Sequence, residues 1–472
     1  MRRRRSSKGR RSKANALVAT DQPAPLGGDE FERLMARLGP FEEGPSLAVG
    51  VSGGPDSMAL CALADTWARA RGGRVLALVV DHALRPESGD EARRVGRWLG
   101  DLGVDHVALS RDGPAIRVAV HAAARAARYG LMGDYCRDRG ILHLAVAHHR
   151  DDQAETLLLR LDRASGLDGL AAMAAVVEGR GPRLLRPLLA VSMARLRATG
   201  AARGLPFIDD PSNRDPVYGR TRVRRLAPIL AADGVTAERL ARTAAALGRA
   251  RAMVEGAVAN FLAAAVTIHA AGFCRLDAQA YRAAPDEIAK RALARMLLCI
   301  GGGAYGPRGA GLRRLHEALT GGAYGRGRTL GGCRILPGRR GILICREPRA
   351  VSAPTSLEAG GSVLWDGRFL LRSTDNRGGL KDAGGPMMVR RLDREGWSDL
   401  PRDDRKALRR ILPAAVRPSL PAFCDLDGVV AVPHLGYRRR GTGCGEDLVF
   451  SAEFRPARCL MPAAFAFAET SG

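Results

Sequence analysis

The tract Ser52-Gly53-Gly54-Pro55-Asp56-Ser57 joins an apolar run, Ser46–Val51, to an apolar pattern of helical spacing. Glycines there let backbone N–H groups turn inward, the helix that follows offers its unbonded N–H groups, and Ser52 and Ser57 add hydroxyls. Together they form a cup for an oxyanion, above all a phosphate. No Gly-Lys-Ser/Thr follows the glycines, so the tract is not a Walker A loop. Asp56 is the discordant member. A carboxylate inside a phosphate cup repels its ligand unless a divalent cation lies between them, which points to Mg²⁺. The plain structural alternative is a strand–turn–helix joint with an acid near the helix start.

A second acid-rich tract follows His148-His149: Asp151-Asp152-Gln153-Ala154-Glu155. Asp152 and Glu155 are three residues apart and share a helix face, so with Asp56 they make a carboxylate set able to hold a cation. The same acids could simply complement a helix N-terminus. Asp81-His82 closes a further apolar run. A zinc site at His82, His148 and His149 lacks convincing further ligands.

These residues need elements that bring them together. Ser46–Val51, Val75–Val80, Val104–Leu109 and Ile141–Ala147 read as buried strands. Helical stretches at Phe31–Leu38, Met58–Arg71, 89–102, Arg117–Arg139 and Asp151–Arg163 separate them. Short continuous apolar runs alternating with helices indicate parallel strands covered on both faces, a doubly wound α/β domain. Ligands in that architecture sit beyond the carboxyl ends of the strands, where the glycine tract, Asp81-His82 and His148-His149 all fall.

The chain has 472 residues, more than one ordinary core, and a formal charge of +25. A field of that sign draws polyanions, and the arginine-rich surplus suits phosphate contacts. The nine cysteines form no Cys-x-x-Cys pair, which fits a reducing compartment and excludes paired-cysteine metal or redox centres. No apolar run approaches the roughly 18 residues of a membrane span. The basic N-terminal stretch lacks the apolar core of a secretory signal; an RNA-binding arm, a transit peptide and an over-extended start remain open readings. Expected domains are a basic tail over 1–28, the α/β domain over 29–230, a mainly helical domain over 231–348, a linker over 349–362 and a small α+β domain over 363–472.

Ser52–Ser57 resembles the SGGxDS signature of the PP-loop, or N-type, ATP pyrophosphatases. VDHALRPES (Val80–Ser88), AARAARYGLM (Ala123–Met132), AHHRDDQAETLLLRLDRASGLDGLAAM (Ala147–Met173), RPLL (Arg186–Leu189) and FIDDPSNRDPVYGRTRVRR (Phe207–Arg225) resemble the tRNA(Ile)-lysidine synthetase branch of that family. Later segments, including PAFCDLDGVVAVPHLGY, extend the likeness over most of the chain. Ala164-Ser165-Gly166 departs from the family's Gly-Ser-Gly, and Thr221 stands at a usual asparagine.

The resemblance implies a cytoplasmic RNA-modifying ligase using ATP and Mg²⁺. Its substrates would be free L-lysine and the isoleucine tRNA with a CAU anticodon. ATP adenylates the C2 oxygen of the wobble cytidine, and the lysine ε-amine then displaces AMP. On that reading Ser52, Gly53, Gly54, Pro55, Asp56, Ser57, Asp81 and His82 bind the nucleotide, and Asp56 and Asp152 share Mg²⁺. Arg128 and Arg220 neutralise the α-phosphate, and His148, Asp152 and Glu155 serve the chemistry. Arg222, Arg224 and Arg225 read as an RNA-facing or solvated run. The base for the lysine amine is unassigned, and the oligomeric state is open between monomer and homodimer. The rival reading is a PP-loop tRNA thiolase, which would need well-placed cysteines.

Overall fold

In the computed structural model the described residues are 23–81, 88–110, 120–179, 181–209, 219–303, 305–307, 309–323, 325–338, 341–358, 360–375, 387–439 and 448–468. Within them the chain divides into two compact units, residues 1–251 with 465–472, and residues 252–464.

The first unit is built on strands β1 (Ser46–Val51), β2 (Arg74–Asp81), β3 (Asp105–Ser110), β4 (His143–Val146), β5 (Val176–Val177) and β6 (Arg183–Leu185). Its helices are α1 (Gly28–Ala36), α2 (Pro55–Arg69), α3 (Ser88–Asp101), α4 (Val120–Asp138), α5 (Arg150–Asp162), α6 (Leu167–Leu170), α7 (Met193–Ala202), α8 (Gly219–Ala232) and α9 (Ala237–Ala265). The sheet runs β3-β2-β1-β4-β6-β5 and is parallel except for the β5–β6 pair. This is the doubly wound domain expected from the alternation of apolar runs and helices.

Side chains that alternate along a strand supply both faces. Leu47, Val49 and Val51 of β1 enter one core with Met58, Leu60 and Leu63 of α2, whereas Ala48 enters a second core with Leu78, Met132, Cys136 and Leu144. Because both faces are dry, the strands need apolar residues at every position. Strand order reverses between β1 and β4, each paired to β1's other edge from β2. The crevice beyond the carboxyl ends of β1 and β4 is therefore the topological switch point. It receives Ser52–Ser57 from one side and His148-His149 from the other.

The expected boundary at residue 230 falls in the last turn of α8, whereas the observed division falls inside α9, a 29-residue helix. Its first half stays with the first unit because Ala241, Ala244 and Ala245 are buried.

The second unit contains helices Asp286–Gly301 and Gly309–Thr320 with a five-stranded antiparallel sheet. The hairpin Val266–His269 with Phe273–Leu276 lies in a stretch expected to be helical, and it completes that sheet against Gly341–Arg346. A further five-stranded sheet and a three-stranded sheet follow. Thr355–Leu357, inside the expected linker, pairs with Met387–Arg391. Asp366 sits between two guanidiniums, accepting from Arg346 and Arg368 at 2.7 Å each, and all three side chains are nearly inaccessible. No helix among the described residues is long and apolar enough to cross a membrane.

Candidate active site

The loop after β1 depends on Gly53. Its φ is +81°, and a Cβ there would lie 2.6 Å from Val95 Cγ2. The Gly53 carbonyl accepts from Ile208 N at 2.9 Å. Ser57 closes the turn from within. Its hydroxyl donates to the Gly54 carbonyl at 2.9 Å and accepts from Ser52 N at 3.2 Å. Ser52 Oγ lies 3.3 Å from it and remains on the open rim. Pro55 occupies the first turn of α2, where its missing N–H costs nothing. Ser57 is thus a staple of the cradle, with its own amide and that of Met58 donating to the Gly54 carbonyl at 3.1 Å each, and Ser52 is the exposed hydroxyl.

Asp56 points from this cradle toward α5. Its Oδ1 is sealed from solvent without a hydrogen-bond partner among the described residues, and its Oδ2 lies 3.6 Å from His149 Nε2. The same Nε2 is 3.6 Å from Asp152 Oδ2, and His149 Nδ1 is 3.5 Å from Asp151 Oδ2. Asp152 Oδ2 also accepts from His149 N at 3.2 Å, which caps the start of α5. Burial pushes the Asp56 carboxyl up from its ordinary range, aided by Asp152 and opposed by His149. For His149, burial works against the charge, but the Asp151 contact and the fields of Asp152 and Asp56 prevail and raise its pKa.

One turn along α5, Glu155 Oε1 accepts from Arg224 Nε at 2.5 Å, and Arg224 Nη2 is 3.9 Å from Asp152 Oδ1. Arg224 sits on α8 and was expected to be solvated or RNA-facing. It belongs to the acid cluster instead, because the helical spacing of the Arg220–Arg225 run turns one member inward. Burial opposes its charge, yet the Glu155 bond raises its pKa further.

The opposite wall is basic. Arg128, Tyr129 and Met132 of α4 line the cleft with Ser52, Asp56 and His148. His148 Nδ1 accepts from Arg186 Nε at 3.3 Å, and His148 Nε2 lies 3.3 Å from Arg125 Nη2. A neutral imidazole has one lone pair for two guanidiniums. The two neighbouring histidines are therefore divided in role, His149 on the carboxylates and His148 among the arginines.

The structure brings together Ser52, Gly54, Asp56, Ser57, Arg128 and His148 along one cleft, with Asp152 and Glu155 on the adjoining helix. Asp81 ends β2, accepts from Ser88 Oγ at 2.6 Å and lines a neighbouring depression with Arg93, Arg97 and His106. His82 lies outside the described residues. Arg220 is on α8, with its side chain outside them. Arg125 and Arg186 were not singled out individually, since single arginines in an arginine-rich chain carry no periodic mark; His149 was weighed only as a strand-end histidine or zinc ligand, not as the partner of the acids.

Among the described residues no three His, Cys, Asp or Glu side chains are grouped to hold a metal unaided. The unsatisfied Asp56 Oδ1 and the convergence of Asp56 and Asp152 do fit Mg²⁺, which binds through one or two carboxylates and takes its remaining ligands from water and phosphate. Among the described residues no cysteine lines the cleft, and only Cys459 is exposed.

A PP-loop domain family matches residues 29–230. The chain is 42% identical over 301 residues to the tRNA(Ile)-lysidine synthase of Bradyrhizobium diazoefficiens, covering 60% of this chain and 80% of that one. It is 40% identical over 377 residues to that of a Methylobacterium species, covering 77% of this chain and 100% of the relative. The chain belongs to the tRNA(Ile)-lysidine synthase family. A more distant synthase of the family, from Orientia tsutsugamushi, is 32% identical over 424 residues and spans 86% of this chain and 93% of its own. Membership thus extends across both units, and the PP-loop match coincides with the domain that carries the cradle, the acids and the arginines.

Proposed function

We propose that this chain joins free L-lysine to C2 of the wobble cytidine in the CAU-anticodon isoleucine tRNA, consuming ATP and giving lysidine, AMP and pyrophosphate. The convergence of Asp56 and Asp152 at the mouth of the Ser52–Ser57 cradle carries this reading. It puts an acid pair where a nucleotide's phosphates would meet the rim of the cleft.

The cytidine O2 attacks the α-phosphorus and pyrophosphate leaves. The backbone amides of the cradle and Ser52 hold the departing phosphates in place. Asp56 and Asp152 would hold Mg²⁺, which would supply charge compensation for that leaving group. Arg128 lines the cleft and would neutralise the α-phosphate, a role for which Arg220 is the second candidate from the sequence. In the second step the lysine ε-nitrogen attacks C2, the C2–O2 bond breaks and AMP departs with the oxygen. The attacking amine gives up a proton, and with an ordinary pKa near 10.4 it needs a base or a dry site to be neutral first. Glu155 is the carboxylate placed to receive a lysine ammonium, provided Arg224 yields it. The wobble base must leave its stack to reach the cleft.

The test is incorporation of labelled lysine into CAU isoleucine tRNA by purified protein with ATP and MgCl₂, beside methionine tRNA of the same anticodon. Incorporation into the first alone is expected. Absence of lysine label, with cysteine-derived sulfur entering instead, would overturn the reading in favour of a thiolase. Asp56→Ala should lower AMP formation by about a hundredfold or more and leave tRNA affinity nearly unchanged. Equal loss of both would make Asp56 structural.

A further inference from the structure

After the second unit the chain returns to the first, to which residues 465–472 belong. The Ala466 carbonyl accepts from Ala175 N at 2.7 Å, and Ala466 bridges antiparallel to Val176 at the outer edge of β5. Ala466 and Ala468 pack against the core around β1 and α2. The Phe465 ring stands 4.0 Å from the Arg251 guanidinium. Gly248 of α9 leaves the space that Phe465 and Phe467 fill, since a Cβ there would come within 3.3 Å and 2.8 Å of them.

The segment this tail grips has little regular structure of its own. Residues 172–175 form no strand, and Ala172 adopts φ +53°, which a residue with a side chain seldom does. External ties hold it. Gln153 donates to the Met173 carbonyl at 3.0 Å and accepts from Met173 N at 2.8 Å. On the other flank the tie is Ala466.

The same segment fixes Arg186. The Ala174 carbonyl accepts from Arg186 Nη1 at 2.7 Å and the Ala175 carbonyl from Arg186 N at 2.8 Å, and Arg186 Nε then reaches His148 Nδ1. We propose that residues 465–468 are a positioning strap for the active site, holding Ala174–Ala175 so that Arg186 presents its Nε–H to His148. The inference rests on the reading of this cleft as catalytic. Without the strap the Ala174 carbonyl loses its anchor on one side, and Arg186 Nε is less firmly directed at His148 Nδ1.

The test compares the full chain with one ending at Ala464 and with a Phe465→Ala, Phe467→Ala variant, which keeps the backbone. The conservative Phe465→Tyr, Phe467→Tyr pair serves as rescue. Expected is a fall in kcat for lysine incorporation of about ten- to hundredfold, the effect of a small misplacement, with KM for tRNA held and activity restored by tyrosine. In an Arg186→Ala background the truncation should cause no further loss, because both act through one contact. Unchanged kcat, or equal losses in both backgrounds, would overturn the strap. Imidazole nitrogen chemical shifts of His148, assigned with His148→Gln, give a readout free of turnover. Nδ1 should show an accepted hydrogen bond in the full chain and lose it on truncation, and identical shifts would also overturn the proposal. An inactive full chain would refute the proposed function, while the shifts would still decide the strap.

Discussion

Arg224 occupies Glu155, the carboxylate that we propose receives the lysine ammonium. Its Nε is 2.5 Å from Glu155 Oε1, a charge-assisted bond that a substrate cation must displace or share. An internal cation of this kind keeps two buried acids satisfied in the absence of substrate, at the cost of competing with it. Arg224→Gln should therefore lower KM for lysine by about five- to tenfold without raising kcat, since a ligand that need not displace a bound partner gains that free energy. Steady-state rates at varied lysine would measure it, and a KM that stays or rises would show that the guanidinium assists substrate. His149 holds the other side of the cluster in the same way, its imidazole lying between Asp56, Asp151 and Asp152. Sequence alone could mark the acids, because their spacing along α5 is periodic. It could not mark which arginine of the run on α8 turns inward.

At the scale of elements, the joint between β1 and α2 is the most demanding piece of backbone in the first unit. Gly53→Ala combines a φ of +81° with a 2.6 Å clash against Val95. It should cost about 1–3 kcal/mol of stability and most of the ATP-dependent activity. A thermal melt and a pyrophosphate-release assay would check this, and a variant with unchanged activity would show that the cradle tolerates a shifted loop. Strands β1, β2 and β4 were legible because burial on both faces demands continuous apolar runs, as in the fully buried His143–Val146, whereas the edge strand β3 is largely exposed and was marked by its short apolar run between helices. Val176–Val177 and Arg183–Leu185 were not, since strands of two and three residues are shorter than any period. The Val266–His269 hairpin escaped notice because it follows α9 without a break, inside an alanine-rich stretch whose composition favours helix. In the site, the motif residues were legible, whereas Arg125 and Arg186 depended on packing that brings α4 and β6 to His148.

For the whole molecule, a formal charge of +25 predicts that tRNA affinity falls by on the order of a hundredfold or more between about 50 mM and 200 mM salt. A shallow salt slope in a filter-binding titration would show that the arginine surplus faces solvent rather than RNA. The second unit should also be sensitive to acid. His434 has both ring nitrogens sealed beside Phe369, and burial pushes its pKa down to about 4 from the ordinary 6.5 against a backbone contact with Ala270. The unfolded chain then binds the extra proton first, so stability is full above pH 6.5 and is lost as pH falls toward 4, by on the order of 3 kcal/mol. His434→Phe should flatten that profile in melts of the full chain. The strap has a consequence in time as well as in space. A ribosome makes the whole of the second unit before Ala466 emerges, so the nascent protein carries its edge strand unfinished until that unit has been made. A product released before that point would carry the nucleotide loop without the strap that we propose directs Arg186 at His148.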